Sequence, residues 1–245
     1  MNFTIQLGLL LEDEQLIQKL AVQFPTLPKI LQKNNINVNN LKLLSKRGDH
    51  GLAFSDGQVV VKITDDKTEA HAAANLLGKK LKGTNEIYHV GTFAQQLPYH
   101  DPQVAKELDI KGTYQYYLII QELVDTNVSW QEEQVAHFIG DWLMANQEWP
   151  FNPDEALEDI KKIFSIESGE PEFLEDPKNQ QIALDLLTNV AELFKHGVKY
   201  LDVGAGNIGH NKSGRLVLFD LGVSESKPGR LSKIESKEIK IPMIS

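Results

Sequence analysis

Residues 200–222 read YLDVGAGNIGHNKSGRLVLFDLG. Two aspartates, Asp202 and Asp220, flank one asparagine, Asn207, and between Asn207 and Asp220 lie the turn HNKSG and the apolar run LVLF. Turn residues followed by an apolar run predict a β-hairpin. Such a hairpin can be an ordinary surface ribbon whose Asp, Asn and Gly only make turns. It can equally be a site for a metal and a phosphate. Mg²⁺ takes oxygen ligands, usually one or two carboxylates plus substrate phosphates. Asp220 would stand at a strand end, Asn207 could offer a carbonyl oxygen, and Asp202 could accept a proton from an attacking hydroxyl. The rest of the chain decides between the two readings.

The chain has 245 residues, which suits one domain or two small lobes sharing a cleft. Hydrophobic residues make up 41%, enough for a core. A net charge of −9 disfavours nucleic acid as a partner. With no cysteine there is no disulfide, thiolate metal site or thiol nucleophile. No apolar run is long enough to cross a bilayer, and MNFTIQLGLLLEDEQ carries no basic leader. The expectation is a cytoplasmic protein with no membrane partner.

Periodicity predicts helix over residues 11–34, interrupted near Pro25 and Pro28, with Leu16, Ile17, Leu20 and Ala21 on one face. From residue 40 the pattern turns to strands. NLKLLSKRGDHG ends a short strand in a turn, and LAFSDGQVVVKIT reads as two strands around Ser55-Asp56-Gly57. KTEAHAAANLLGKKL is helical, EIYHVGTF a strand, residues 96–113 a polar loop, and YQYYLIIQEL a buried strand. Three helices follow: SWQEEQVAHFIGDWLMANQ with the capping-box pair Ser129 and Glu132, NPDEALEDIKKIF, and DPKNQQIALDLLTNVAELFKHG stopped by Gly197. The residues after the hairpin form a polar tail. This organisation divides the chain into an N-terminal helical extension (1–39), a strand-rich part (40–124) and a helical part (125–245), with QELVDTN as the hinge.

Lys62 ends the apolar run VVVK, where a lysine is costly to bury unless an anion meets it. Glu69, on the next helix, is the nearest candidate partner; the alternative is a lysine that snorkels from the strand end. Gly48 and Gly51 in the turn KRGDHG would let the backbone approach a phosphate, although most such turns are plain turns.

Taken in order, a glycine turn, a hairpin lysine, a helix glutamate, a buried strand with an acidic hinge, D-x-x-x-x-N and D-x-G resemble the protein-kinase-like superfamily over residues 40–223. That superfamily includes protein kinases and the aminoglycoside and choline phosphotransferases. The resemblance implies an α+β, two-lobed fold: an antiparallel-sheet N-lobe with one main helix and a reduced helical C-lobe. It implies ATP and Mg²⁺ as cofactors and a protein or small-molecule hydroxyl as acceptor. Lys62 matches the lysine on the α/β-phosphates and Glu69 its helix partner. Gly48 and Gly51 match the phosphate loop, with Lys46 where its first glycine would be. Ala53 and Val60 would roof the adenine, Glu122 and Val124 would bond its edge, and Gln121 would be the gatekeeper. Asp202 matches the catalytic aspartate, and Asn207 and Asp220 the metal ligands.

The chain departs from that pattern in four places. Tyr200 and Leu201 replace the His-Arg pair before the aspartate. Gly204 stands where a lysine or histidine usually supplies positive charge, and Gly209 where a large apolar residue usually floors the adenine site, which implies a wide or loosely filled pocket. Only 23 residues follow Gly222, without a peptide-docking subdomain. The expected activity is an ATP- and Mg-dependent phosphotransferase, a minimal protein kinase. The alternatives are a nucleotide-binding pseudokinase without turnover, an aminoglycoside- or choline-like small-molecule kinase, and an interaction protein that binds no nucleotide.

Overall fold

The computed structural model describes residues 16–45, 51–99, 102–107, 109–146, 150–167, 171–198, 202–221 and 241–245. It is an α+β structure with a mostly antiparallel sheet. The chain forms two compact units. Among the described residues, the first comprises 16–78, 87–123 and 241–245, and the second 79–86 and 124–221.

The first unit opens with helices α1 (Leu16–Gln23) and α2 (Thr26–Lys33). Pro25 separates them, and Pro28 is accommodated in the first turn of α2, where its missing N–H costs no intrahelical bond. Six strands follow in the order β1-β2-β3-β7-β4-β10: β1 (Lys42–Ser45), β2 (Gly51–Ser55), β3 (Val59–Thr64), β4 (Ile87–Phe93), β7 (Tyr117–Glu122) and β10 (Met243–Ile244). All neighbours pair antiparallel except β4 and β10. The β2–β3 turn is made by its own side chains. Asp56 accepts from the N–H groups of Gln58 and Val59 at 2.9 and 3.1 Å, and Gly57 takes φ +90°.

Strand alternation gives this sheet two distinct faces. Leu52, Phe54, Val61, Ile63, Leu118 and Ile120 point to one of them and pack with Leu16, Ile17, Leu20, Phe24, Leu27 and Leu31 in a single buried core. Residues 1–39 were expected to form an N-terminal helical extension. The described part of that stretch buries its apolar stripe against one face of the sheet. Helix α3 (Lys67–Leu76) covers part of the opposite face, N-capped by Asp66, which accepts from Thr68 and Glu69 N–H.

Two further expectations are corrected. The loop at 96–113 contains a small ribbon, β5 (Leu97–Pro98) with β6 (Thr113–Tyr114), and a short helix α4 (Pro102–Glu107). The polar tail contributes β10, whose Ile244 is 1% exposed.

The second unit packs helices α5 (Trp130–Ala145), α6 (Pro153–Glu167) and α7 (Pro177–Lys195) with the ribbon of β8 (Ile208–His210) and β9 (Leu216–Leu218). The Ser129–Glu132 capping box and the glycine stop at Gly197 (φ +83°) both form. Residues 79–86, which the sequence places with the sheet, belong here, because Thr84 bridges in parallel to Leu218 and bonds its carbonyl at 2.9 Å. The change of unit at 123/124 lies one residue from the division expected at 124/125. Among the described residues no helix is long and apolar enough to cross a membrane.

Candidate functional site

The first unit gathers one set of the candidate residues on a single sheet face. The register pairs Ala53 with Lys62 and Lys62 with Ile119, and in the next row Ser55 with Val60 and Val60 with Gln121. Directly opposed residues point the same way. Ala53, Val60, Lys62 and Gln121 therefore share the face that α1 and α2 leave uncovered. Lys62 meets Glu69 of α3 with Nζ 2.6 Å from Oε1, and the side chains are 15% and 4% exposed. Helix geometry produces this contact. Asp66 fixes the first turn of α3, so Glu69 projects from that turn toward β3. Glu122 ends β7 opposite Val59.

Gly51, expected in the phosphate turn, is the first residue of β2. It pairs with Thr64, and a Cβ there would lie 2.0 Å from the Ile63 carbonyl oxygen. Its missing side chain is required by the close approach of two strands. Gly48 and Lys46 lie outside the described residues.

The second unit holds the other set. Asn207 closes a 3₁₀ turn (Ala205–Asn207) and leads into β8, while Asp220 follows β9 by two residues. The register Ile208↔Leu218 and the bond from Phe219 N–H to the Asn207 carbonyl at 2.9 Å put both at the open end of the ribbon. The Asn207 Nδ2 donates to the Asp202 backbone carbonyl at 2.7 Å, which fixes the carboxamide and ties it to the loop bearing Asp202. Asp202 is exposed and Asn207 and Asp220 half-buried. Asp220 has φ +38°, a left-handed conformation that is uncommon for a residue with a side chain and that gathers at functional sites. Tyr200 and Leu201 lie outside the described residues. Among the described residues no three His, Asp or Glu side chains cluster as a metal cage.

Two glycines that sequence reasoning did not use in this way hold the site together. A Cβ on Gly140, inside α5, would lie 2.1 Å from the Val203 carbonyl oxygen. The Asp202 loop therefore rests directly on the α5 backbone. A glycine inside a helical pattern was the available signal, since it lowers helix stability by about 1 kcal/mol and usually has a packing reason. Gly209 stands close to a neighbouring segment. A Cβ there would meet the Asp125 carbonyl oxygen at 2.7 Å and Val124 Cγ2 at 3.3 Å, so backbone fills that place.

The same approach is braced twice more. Asp125 and His210 exchange backbone hydrogen bonds at 2.8 Å in both directions, and His210 Nε2 lies 2.9 Å from Glu132 Oε1. Burial of Glu132 would raise its pKa, but hydrogen bonds from the Ser129 N–H and hydroxyl and from His210 outweigh it, so the net pKa is lowered. A carboxylate whose folded pKa is depressed contributes stability above its unfolded pKa and loses it as pH falls through the folded value. Thermal melts across the acidic range should therefore show a smaller acid-induced fall in Tm for Glu132→Gln than for the unaltered chain; equal falls would remove the brace as a source of acid sensitivity.

No protein-family model matches this chain, and no curated protein matches it.

Proposed function

We propose that this chain is an ATP- and Mg²⁺-dependent phosphotransferase with a two-lobed, protein-kinase-like fold, acting on a hydroxyl group in the cytoplasm. The observation that carries the reading is the Lys62–Glu69 pair, a lysine and a glutamate held at 2.6 Å over the sheet face that α1 and α2 leave uncovered. A buried ion pair costs desolvation energy that apolar residues of similar volume would not, so stability alone explains it poorly. An anion such as the α/β-phosphates, met by Lys62 and oriented through Glu69, gives the pair a purpose.

In this reading Ala53 and Val60 cover the adenine, Gln121 stands beside it, and Glu122 and Val124 offer backbone groups to its edge. Gly48 and Gly51 belong to the phosphate turn. Asp202 accepts or orients the acceptor hydroxyl. The donors Asn207 and Asp220 are hard oxygen ligands of the kind Mg²⁺ takes, and two protein ligands leave room for phosphate oxygens and water. Bound there, the ion would neutralise charge on the transferring phosphoryl group.

A second reading, nucleotide binding without turnover, is favoured by Gly204, which brings no cation and has nothing within 4 Å of the place its Cβ would occupy. Incubation with labelled ATP and Mg²⁺ against protein and small-molecule pools separates the readings. Transfer that falls by about 10²-fold or more in Asp202→Ala and Asp220→Ala supports the enzyme. A thermal shift with ATP and no labelled product supports the binding module. No shift at millimolar ATP and Mg²⁺ rejects both.

A further inference from the structure

Strand β10 completes the outer edge of the first unit's sheet in an unusual way. Of residues 241–245 only Ile244 is buried, and Met243 is 75% exposed. Ile244 enters the core that holds Phe24 and Phe93. A hollow at Gly91 admits it, because a Cβ on Gly91 would lie 2.9 Å from both Cδ1 and Cγ1 of Ile244. The backbone is read as well. Thr92 N–H donates to the Pro242 carbonyl at 2.8 Å and Ala94 N–H to the Ile244 carbonyl at 2.9 Å. At the next residue, the Thr26 N–H donates to the Ser245 backbone oxygen at 3.0 Å, and the Thr26 hydroxyl donates to it too.

Ladder bonds that ignore sequence and a pocket that selects a side chain are the features of peptide recognition by strand addition, and the Thr26 donors hold the residue that follows the pocket. A two-residue strand is also shorter than sheets usually use for internal stability. We propose that the β4 edge, the Gly91 hollow and Thr26 form a strand-accepting peptide site. Its occupant is the chain's own segment 241–245, and the same segment of a second copy can enter in its place. The site takes an extended peptide with a branched aliphatic residue at the position of Ile244 and tolerates any side chain at the outward position of Met243. This inference is independent of the nucleotide reading.

Amide exchange on the full, unaltered chain tests whether the segment detaches. Thr92 and Ala94 donate to it, whereas Phe93 between them donates to Tyr116 at 3.0 Å inside the sheet. Local release gives exchange at Thr92 and Ala94 at least about tenfold faster than at Phe93. Equal rates at all three overturn the proposal.

Binding in trans is read by fluorescence anisotropy of a labelled peptide with the sequence of residues 240–245, KIPMIS. A tethered segment competes at an effective concentration on the order of millimolar, so the full chain carrying Ile244→Arg should bind the peptide at least about tenfold more tightly than the unaltered chain. Thr26→Ala added to that variant should weaken binding. No saturable binding to a variant that circular dichroism shows to be folded overturns the proposal. If Ile244→Arg does not fold, the exchange rates of the unaltered chain decide alone.

Discussion

Replacing Glu69 with alanine is expected to destabilise the protein by about 3–5 kcal/mol, the cost of breaking a buried ion pair. Lys62 is 15% exposed and sits on a central strand between Ala53 and Ile119, so its ammonium has little water to turn to. The double replacement Lys62→Met with Glu69→Leu removes both charges and should recover most of the loss. Urea unfolding followed by circular dichroism measures both variants. The comparison also separates architecture from chemistry. If the pair exists to hold phosphate, the double variant stays folded yet loses the thermal shift with ATP and Mg²⁺ shown by the unaltered chain. An unchanged urea midpoint in Glu69→Ala would show that Lys62 does not depend on Glu69 for its compensation.

The second large effect reverses a familiar sign. Alanine in place of glycine inside a helix normally stabilises by about 1 kcal/mol. Gly140→Ala should instead destabilise by about 1–3 kcal/mol, because the new methyl group would overlap the Val203 carbonyl oxygen, 2.1 Å from the Cβ position. Val203 is itself buried, and the Asp202 carbonyl next to it holds the Asn207 carboxamide. The strain is therefore relieved at the expense of the loop bearing Asp202. A misplacement of about 1 Å at a reacting group costs about 10²-fold in rate. Any phosphoryl transfer should thus fall by that order in Gly140→Ala even at temperatures where the chain remains folded. A stabilised variant would show that the helix moves more easily than the loop.

The parts legible in the sequence were those in which a short run of residues fixes its own geometry. Asp56 and Gly57 shape their hairpin, Ser129 and Glu132 close their box, and Pro153 and Gly197 bound their helices. The meeting of Lys62 with Glu69 was readable because a strand followed closely by a capped helix has few ways to turn. The placement of Asn207 and Asp220 at one end of a ribbon was readable for a similar reason, since a hairpin brings its two ends together.

What escaped depends on long-range packing. The stripe of Leu16, Ile17 and Leu20 announces a helix but not the sheet face it covers. Gly209 reads as a missing side chain, and only the bridge from β8 to Asp125 shows that its place is taken by backbone. In IPMIS a single buried isoleucine gives no period to detect. At 96–113 the strands are two residues each, too short for alternation to register.

The edge position of β10 has a consequence for synthesis. The other strands of the first unit's sheet are complete once residue 122 has been made, but the strand that covers β4 comes from residues 243–244. About 120 residues must be translated in between, which takes roughly 6–24 s at about 5–20 residues per second. Throughout that interval the N–H groups of Thr92 and Ala94 and the hollow at Gly91 lack their eventual partners, and an uncovered sheet edge invites pairing with other chains. The nascent protein thus carries an open β4 edge until residues 243–244 have been made, and chaperone demand should rise in that interval.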